Sequence, residues 1–267
     1  INVGYLINLS TRGRVTVDQP LILGFAVAGT EPRSVLMRAV GPGLTGFGVD
    51  QALPRTRLEL YNASGGLMTT NEGWANSTTL AQAAAQTGAF PLAAGSADSA
   101  LLMTLAPGTY TIHLVDTLGT GGVGLAELYD AGSGRASRLG NVSSLGTSGE
   151  GNDALISGFV VAGGTAERVL LRAVGPGLTQ FNVAGAASDP SVALFDAQGS
   201  PLGGNDNWVS SVSPVAAAAA SSGAFPLDEG SRDAAVLASL PSGAYTVQVS
   251  AGSGATGVVL LEIYEVR

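Results

Sequence analysis

Val35-Leu-Met-Arg-Ala-Val-Gly-Pro-Gly-Leu44 returns as Val169-Leu-Leu-Arg-Ala-Val-Gly-Pro-Gly-Leu178, nine residues of ten the same at an offset of 134. Self-similarity at a long fixed period means a chain built from repeated structural units. Outward from this stretch, Asn71-Glu-Gly-Trp74 matches Asn205-Asp-Asn-Trp208, and Gly88-Ala-Phe-Pro-Leu92 matches Gly223-Ala-Phe-Pro-Leu227. Glu127-Leu-Tyr129 matches Glu262-Ile-Tyr264. The reading is two homologous domains, 1–131 and 136–267, with the Gly/Ser-rich stretch Ala131-Gly-Ser-Gly134 as linker. Units of this length can each bury their own core.

Each copy reads mainly as strands. Apolar stretches fall near 3–9, 21–28, 34–40, 57–61, 100–105, 109–115 and 123–129, and copy two repeats them. Turn signals such as Ser64-Gly-Gly66 and Pro107-Gly108 separate them. Pro42-Gly43 suits the central pair of a type II turn, Pro presetting φ and Gly supplying φ > 0. One helix interrupts each copy. Ser213 caps the second, with Pro214 at its first position and Gly223 at its end. In copy one, Thr79 takes the cap position and Gln82 completes a capping-box pattern. The expected fold is all-β: two tandem antiparallel β-sandwich domains, jelly-roll-like, each with one short helix.

Composition excludes several chemistries. With no Cys there is no disulfide, thiol nucleophile or thiolate metal site, and with all 12 basic residues Arg there is no Schiff-base or P-loop Lys. A single His removes every multi-His metal site. The net charge of −8 disfavours nucleic acid and anionic lipid as partners, and no apolar run is long enough for a membrane span. The 39 glycines lack collagen's period. The first residue is Ile, so a processed or trimmed chain is expected, and no signal peptide is legible.

Three motifs fall in order in each copy. Leu60-Tyr-Asn-Ala-Ser-Gly65, Asn71-Glu-Gly-Trp74 and Leu105-Ala-Pro-Gly-Thr-Tyr-Thr111 are answered by Leu194-Phe-Asp-Ala-Gln-Gly199, Asn205-Asp-Asn-Trp208 and Leu240-Pro-Ser-Gly-Ala-Tyr-Thr246. With Glu127-Leu-Tyr129 they resemble bacterial pre-peptidase C-terminal-type modules. Asn8-Leu-Ser-Thr-Arg-Gly13, Arg-Ala-Val-Gly-Pro-Gly and Ala89-Phe-Pro-Leu92 extend the likeness to repeats of large secreted bacterial proteins. The resemblance covers nearly the whole chain. It implies an extracellular, noncatalytic β-sandwich, sometimes calcium-binding, used for adhesion, accessory binding or architecture.

Candidate site residues are few. His113 alternates on a strand in Tyr110-Thr-Ile-His-Leu-Val115 and reads as a solvent-facing residue, matched in copy two by Gln248. Gly41-Pro-Gly-Leu-Thr-Gly46 formally matches a phosphate-binding glycine pattern but reads as a turn, because copy two has Gln180 at its end. Arg38 and Arg172 sit in strongly apolar strands and call for carboxylate partners: Asp98 or Glu127 in copy one, Asp233 or Glu262 in copy two. They are read as structural ion pairs, with ligand binding the alternative. Asp196, Asn205, Asp206 and Asn207 are the best metal set. Their hard oxygens suit Ca2+, whereas the plainer reading is Asx turns.

Ile1, Val3, Tyr5, Ile7 and Leu9 form an alternating apolar stripe broken only by Leu6. Copy two has no such stripe before its own first strands. A terminal strand this apolar must bury itself, either in its own first domain or in a neighbouring subunit. The functional expectation is a secreted or cell-surface bacterial structural protein that assembles with itself, as a fibre if the strand inserts into the next subunit. Its rival is a noncatalytic accessory module of a larger secreted protein, binding polysaccharide or protein, with Ca2+ in some forms. No enzyme activity is expected.

Overall fold

The computed structural model describes residues 4–134, 136–208, 213–252 and 255–266, with Asn152 described by its backbone alone. The fold is all-β and mostly antiparallel, with β-sandwich character. Among the described residues no helix is long and apolar enough to cross a membrane. The chain divides into two compact units, one of Ile7–Gly140 and one of Ile1–Leu6 with Asn141–Arg267.

The copy-one elements are β1 (Tyr5–Val15), β2 (Leu21–Gly29), β3 (Arg33–Val40), β4 (Thr56–Asn62), β5 (Leu67–Asn71), α1 (Thr78–Thr87), β6 (Ser99–Leu105), β7 (Gly108–Asp116) and β8 (Gly122–Asp130). In the unit of Ile7–Gly140 they form two ladders. One runs β2-β7-β4-β5, with Leu21 opposite Leu114 and Leu58 opposite Leu114 from the other side. The other runs β1-β8-β3-β6, with Leu9 opposite Leu128, and Arg38 opposite both Glu127 and Ala100. The ladders face each other through a buried layer. A Cβ on Gly124 of β8 would lie 2.9 Å from Leu114 of β7.

Copy two repeats the plan with β9 (Ser137–Ser148), β10 (Leu155–Ala162), β11 (Glu167–Val174), β12 (Ser191–Asp196), β13 (Pro201–Asn205), α2 (Pro214–Ser222), β14 (Ala234–Leu240), β15 (Gly243–Ser250) and β16 (Gly257–Glu265). Its ladders are β10-β15-β12-β13 and β9-β16-β11-β14.

The leading strands depart from a simple tandem division. Residues 4–6 belong with copy two, where β1 lies beside β10. The Leu6 amide donates to the Glu265 carboxylate at 2.9 Å and the Gly4 amide to the Thr165 hydroxyl at 3.2 Å. Conversely, the first residues of β9, up to Gly140, belong with copy one, where β9 lies beside β2 and the Ser137 hydroxyl accepts from the Glu31 amide. The units therefore part at 6/7 and 140/141, where the sequence reading put a linker at 131–134 between domains 1–131 and 136–267.

The burial phase slips where the partners change. Leu6 is buried, Ile7 and Asn8 are half-buried, and then Leu9, Thr11, Gly13 and Val15 are buried. In β9 the inward set changes from Ser137 and Leu139 to Gly140, Val142 and Ser144. Because side chains alternate with period two, a shift of one residue turns the other face inward. The expected inward stripe is corrected accordingly. Tyr5 and Ile7 are only half-buried, Leu9 is buried, and Leu6, the apparent exception, is buried as well. Ile1 and Val3 lie outside the described residues.

Two local expectations are also revised. The cap of α1 is Ser77, whose hydroxyl accepts from the Leu80 amide, rather than Thr79. Pro42-Gly43 opens a 3-10 turn over Pro42–Phe47, with Leu44 N–H donating to the Gly41 carbonyl at 2.9 Å. Gly43 does not take the positive φ of a type II turn. Glycine is needed at 41 for space, because a Cβ there would lie 2.5 Å from the Leu53 carbonyl; one at 43 would be a tight fit, 3.0 Å from the Val40 side chain and 3.1 Å from that of Asp98. In α2, Ser213, Pro214 and left-handed Gly223 take the expected positions.

Candidate functional site

The repeated stretch that sets the fold also builds the most unusual site. On β2, burial alternates, as on a strand with one covered face; on β3, every residue from Val35 to Val40 is buried. The second face of β3 is covered by α1, whose Ala83 and Ala84 cluster with Leu36, Ala89 and Tyr129. Arg38 lies on that helix-facing side, alternating with Leu36, and is 1% exposed. A charge there needs compensation. Cross-strand register supplies it, because Glu127 lies directly opposite on β8 and its Oε2 is 2.9 Å from Arg38 Nε.

The Nη1 end of the guanidinium is held by the chain before Pro91. Nη1 donates to the Phe90 carbonyl at 2.6 Å, and the Phe90 ring stacks 4.3 Å from the guanidinium carbon. Tyr129 donates its hydroxyl to Glu127 Oε1 at 2.7 Å. Burial pushes the Glu127 carboxyl above the ordinary carboxylate range, with Arg38 and Tyr129 drawing it part of the way back. Burial and the neighbouring carboxylate likewise raise the Tyr129 phenol.

Copy two reproduces the arrangement. Arg172 Nε is 3.1 Å from Glu262 Oε2, Nη1 donates to the Phe225 carbonyl at 2.6 Å, and the Phe225 ring lies 4.4 Å away. Tyr264 donates to Glu262 at 2.6 Å. Here too burial raises the Glu262 carboxyl.

Asp98 and Asp233, the other carboxylates considered for these arginines, have a different task. Asp98 Oδ1 accepts from the amides of Gly41 and Gly43 at 2.8 and 3.1 Å, and Asp233 Oδ1 from those of Gly175 and Gly177 at the same distances. A buried carboxylate thus fixes each Gly-Pro-Gly turn. The tryptophans of the repeated Asn-x-x-Trp motif complete the wall. Trp74 donates from Nε1 to the Ala93 carbonyl at 3.1 Å and Trp208 to the Asp228 carbonyl at 2.7 Å.

Between helix and ladder each copy keeps an apolar cavity that is partly open to solvent. The copy-one cavity, about 240 Å3, is bounded among the described residues by Arg38, Trp74, Leu80, Ala85, Pro91 and Leu92. Its counterpart, about 390 Å3, is bounded by Arg172, Trp208, Val215, Ala220, Pro226 and Leu227. Alanine-rich helices leave this room, since small side chains do not fill the gap to the sheet. The sequence announced the arginines through their repetition in apolar strands. Phe90 and Phe225 stood in the repeated Gly-Ala-Phe-Pro-Leu motif, but their place on the guanidinium and the cavities carried no local signal, because they arise where separate segments meet.

The remaining candidates do not converge. Asp196 closes an Asx turn, its Oδ1 accepting from the amides of Gln198 and Ser200 at 2.9 and 2.8 Å. Asn205 is at the far end of the β12-β13 hairpin, opposite Val192, and its Oδ1 accepts from the Ala235 amide at 2.9 Å. Asp206 and Asn207 are exposed. The expected Ca2+ set of Asp196, Asn205, Asp206 and Asn207 is therefore not assembled: its first member is spent on one turn and its second on β14. Among the described residues no group of three or more His, Cys, Asp and Glu side chains is placed to hold a metal ion.

His113 stands half-buried on β7 opposite Glu59, its ring 4.5 Å from that of Tyr61. Tyr61 donates to Glu59 at 2.6 Å and Arg57 Nε lies 2.7 Å from the same carboxylate. Burial lowers the basicity of the imidazole, opposed by Glu59.

No family model matches the chain, and no curated protein matches it. Among solved structures it is similar to a DUF4785 family protein of Legionella pneumophila, at 12% identity and a TM-score of 0.30. That alignment covers 100% of this chain and 63% of the other, so the chain spans less than two thirds of that protein. Bacillus subtilis oxalate decarboxylase aligns at 9% identity and a TM-score of 0.16, over 99% of this chain and 75% of that one.

Proposed function

We propose that the chain is a noncatalytic structural protein of the bacterial cell surface or secreted space that assembles with further copies of itself through its leading strand. On this reading it consists of tandem jelly-roll-like sandwiches. The observation that carries it is the membership of residues 4–6. They serve a unit otherwise made of residues 141 onward, with hydrogen bonds spanning sequence separations of 161 and 259 residues. A short extended segment held by partners so distant in the chain can be supplied equally by a second copy, which is the basis of domain swapping and strand addition. The likeness to pre-peptidase C-terminal-type modules supports the extracellular setting, and the −8 charge disfavours nucleic acid.

The test is deletion of residues 1–6 in the full chain, read by sedimentation and electron microscopy over a range of concentrations. Wild type should form concentration-dependent oligomers or filaments, and the deletion should remain monomeric. A wild type that stays monomeric at high concentration, with a deletion that merely melts the second unit, overturns assembly. The second reading is then an accessory binding module, for polysaccharide or protein, of a larger secreted protein. The apolar cavity repeated under both helices favours it.

A further inference from the structure

We propose that each unit carries a slot for one leading segment and that the two slots are coded differently. The slot of copy two accepts Gly4-Tyr5-Leu6 and refuses the Ser137-Arg138-Leu139 segment that fills the slot of copy one. This rests on the strand exchange proposed above and names its acceptor: a second copy docks by its residues 4–6 in the slot of copy two, read as glycine, any residue, leucine. The leading segments hold equivalent places. Ser10 lies opposite Glu127 and Ser143 opposite Glu262, so Gly4 answers Ser137 and Leu6 answers Leu139. Both leucines are 1% exposed, so the residue two places earlier tells the segments apart.

The slot of copy two offers acceptors. The Gly4 amide donates to the Thr165 hydroxyl at 3.2 Å and the Leu6 amide to the Glu265 carboxylate at 2.9 Å. Amides two residues apart face the same edge of a strand, so this slot reads one edge of an extended segment. It leaves no room for a side chain at the first position. A Cβ on Gly4 would lie 2.9 Å from the Thr165 carbonyl and 2.9 Å from the Glu167 Cβ. Neither is the far end of a flexible side chain, so neither turns aside cheaply.

The slot of copy one offers donors. The Thr30 amide donates to the Ala136 carbonyl at 3.3 Å and the Glu31 amide to the Ser137 hydroxyl at 2.9 Å. Gly29 clears the space, since a Cβ there would lie 2.5 Å from that hydroxyl. Arg33, opposite Leu105, stands where copy two has Glu167 opposite Leu240. Its Nη1 donates to the Ser133 and Gly134 carbonyls at 3.0 Å each. A guanidinium only donates, and an ionised carboxylate only accepts. The hydroxyl in the contact belongs to the segment in copy one and to the slot in copy two. A serine at position 4 therefore collides with the slot of copy two, and a glycine at position 137 strands the Glu31 amide in copy one.

The experiment titrates the chain lacking residues 1–6 with the hexapeptide of residues 1–6 and with its Gly4→Ser and Leu6→Ala forms. Calorimetry reads the binding, and the melting midpoint of the second unit reads the stabilisation. The native peptide should raise the midpoint and bind at least ten-fold more tightly than either variant peptide. Amide hydrogen exchange in the intact chain gives a second measurement that needs neither the truncation nor the peptide. There Gly4→Ser should speed exchange of the Leu6 amide at least ten-fold, and Ser137→Gly should do the same at Glu31. Equal stabilisation by the native and Gly4→Ser peptides overturns the proposal, and so does an unchanged Leu6 exchange rate in the Gly4→Ser chain. Sedimentation of the wild type separates the two ideas. A monomer that keeps the peptide preference overturns self-assembly and supports the coded slots, whereas an assembling chain indifferent to Gly4→Ser overturns the code alone.

Discussion

Replacing Arg38 by Ala tests the physical reading of the site most directly. The substitution removes the partner 2.9 Å from a Glu127 carboxylate that is 3% exposed, the bond to the Phe90 carbonyl and the stacking on the Phe90 ring. Breaking a buried pair from one side costs about 3–5 kcal/mol, because the other charge is left without compensation. The unit of Ile7–Gly140 has a melting entropy of about 0.28 kcal/mol/K on average per-residue values, so each kcal/mol lowers its midpoint by about 3.5 °C. The expected loss is therefore about 10–18 °C in that unit, measured calorimetrically. The penalty should also depend on pH. Burial already favours the protonated Glu127, and without Arg38 nothing charged opposes it, so acid relieves the variant by neutralising the stranded group. The deficit should be smaller at pH 5 than at pH 7. Replacing both Arg38 and Glu127 by Leu should restore most of the loss, since a well-packed apolar pair is often as stable as a buried ionic one. An unchanged midpoint in the alanine variant, or a deficit independent of pH, would refute the reasoning.

Leu6→Ala should cost about 2–5 kcal/mol and lower the transition reported by Trp208 rather than that reported by Trp74, each followed with the other tryptophan replaced by Phe. Gly41→Ala should destabilise by about 1–3 kcal/mol in denaturant titrations, because its Cβ would meet the Leu53 carbonyl at 2.5 Å and neither backbone can yield cheaply. His113→Gln should flatten the stability profile between pH 7 and 5. The folded imidazole binds its proton less readily than the unfolded one, whose value is near 6.5, so in wild type stability falls as pH drops through that window. Ser213→Ala should remove about 1 kcal/mol through loss of the bond from the Ala216 amide, seen as a lower midpoint of the second unit.

Much of this molecule is legible in its residues alone. The duplicated Arg-Ala-Val-Gly-Pro-Gly stretch shows two copies, and the alternation along β2, β7 and β15 shows strands with one covered face, because period-two patterning is a local property. Ser213-Pro214 and Gly223 announce α2 for the same reason: capping is settled within one turn of chain. The need of Arg38 and Arg172 for carboxylates is legible too, since an arginine between apolar neighbours on a strand has few alternatives. Which carboxylate answers is not. Glu127 rather than Asp98 pairs with Arg38 because ladder register sets it directly opposite, and Asp98 is claimed by the amides of Gly41 and Gly43. The calcium set fails likewise, since Asp196 and Asn205 are close in sequence but fall at opposite ends of a hairpin. The leading strand marks the boundary most sharply. Its apolar character is written in the sequence, and so is the one break in its alternation, at Leu6. The meaning of that break is decided in three dimensions, where residues 4–6 turn one face into the unit of copy two and residues from Leu9 onward turn the other into the unit of copy one. Sequence fixes which side chains must be buried; the partners that bury them are chosen by contacts between segments more than a hundred residues apart.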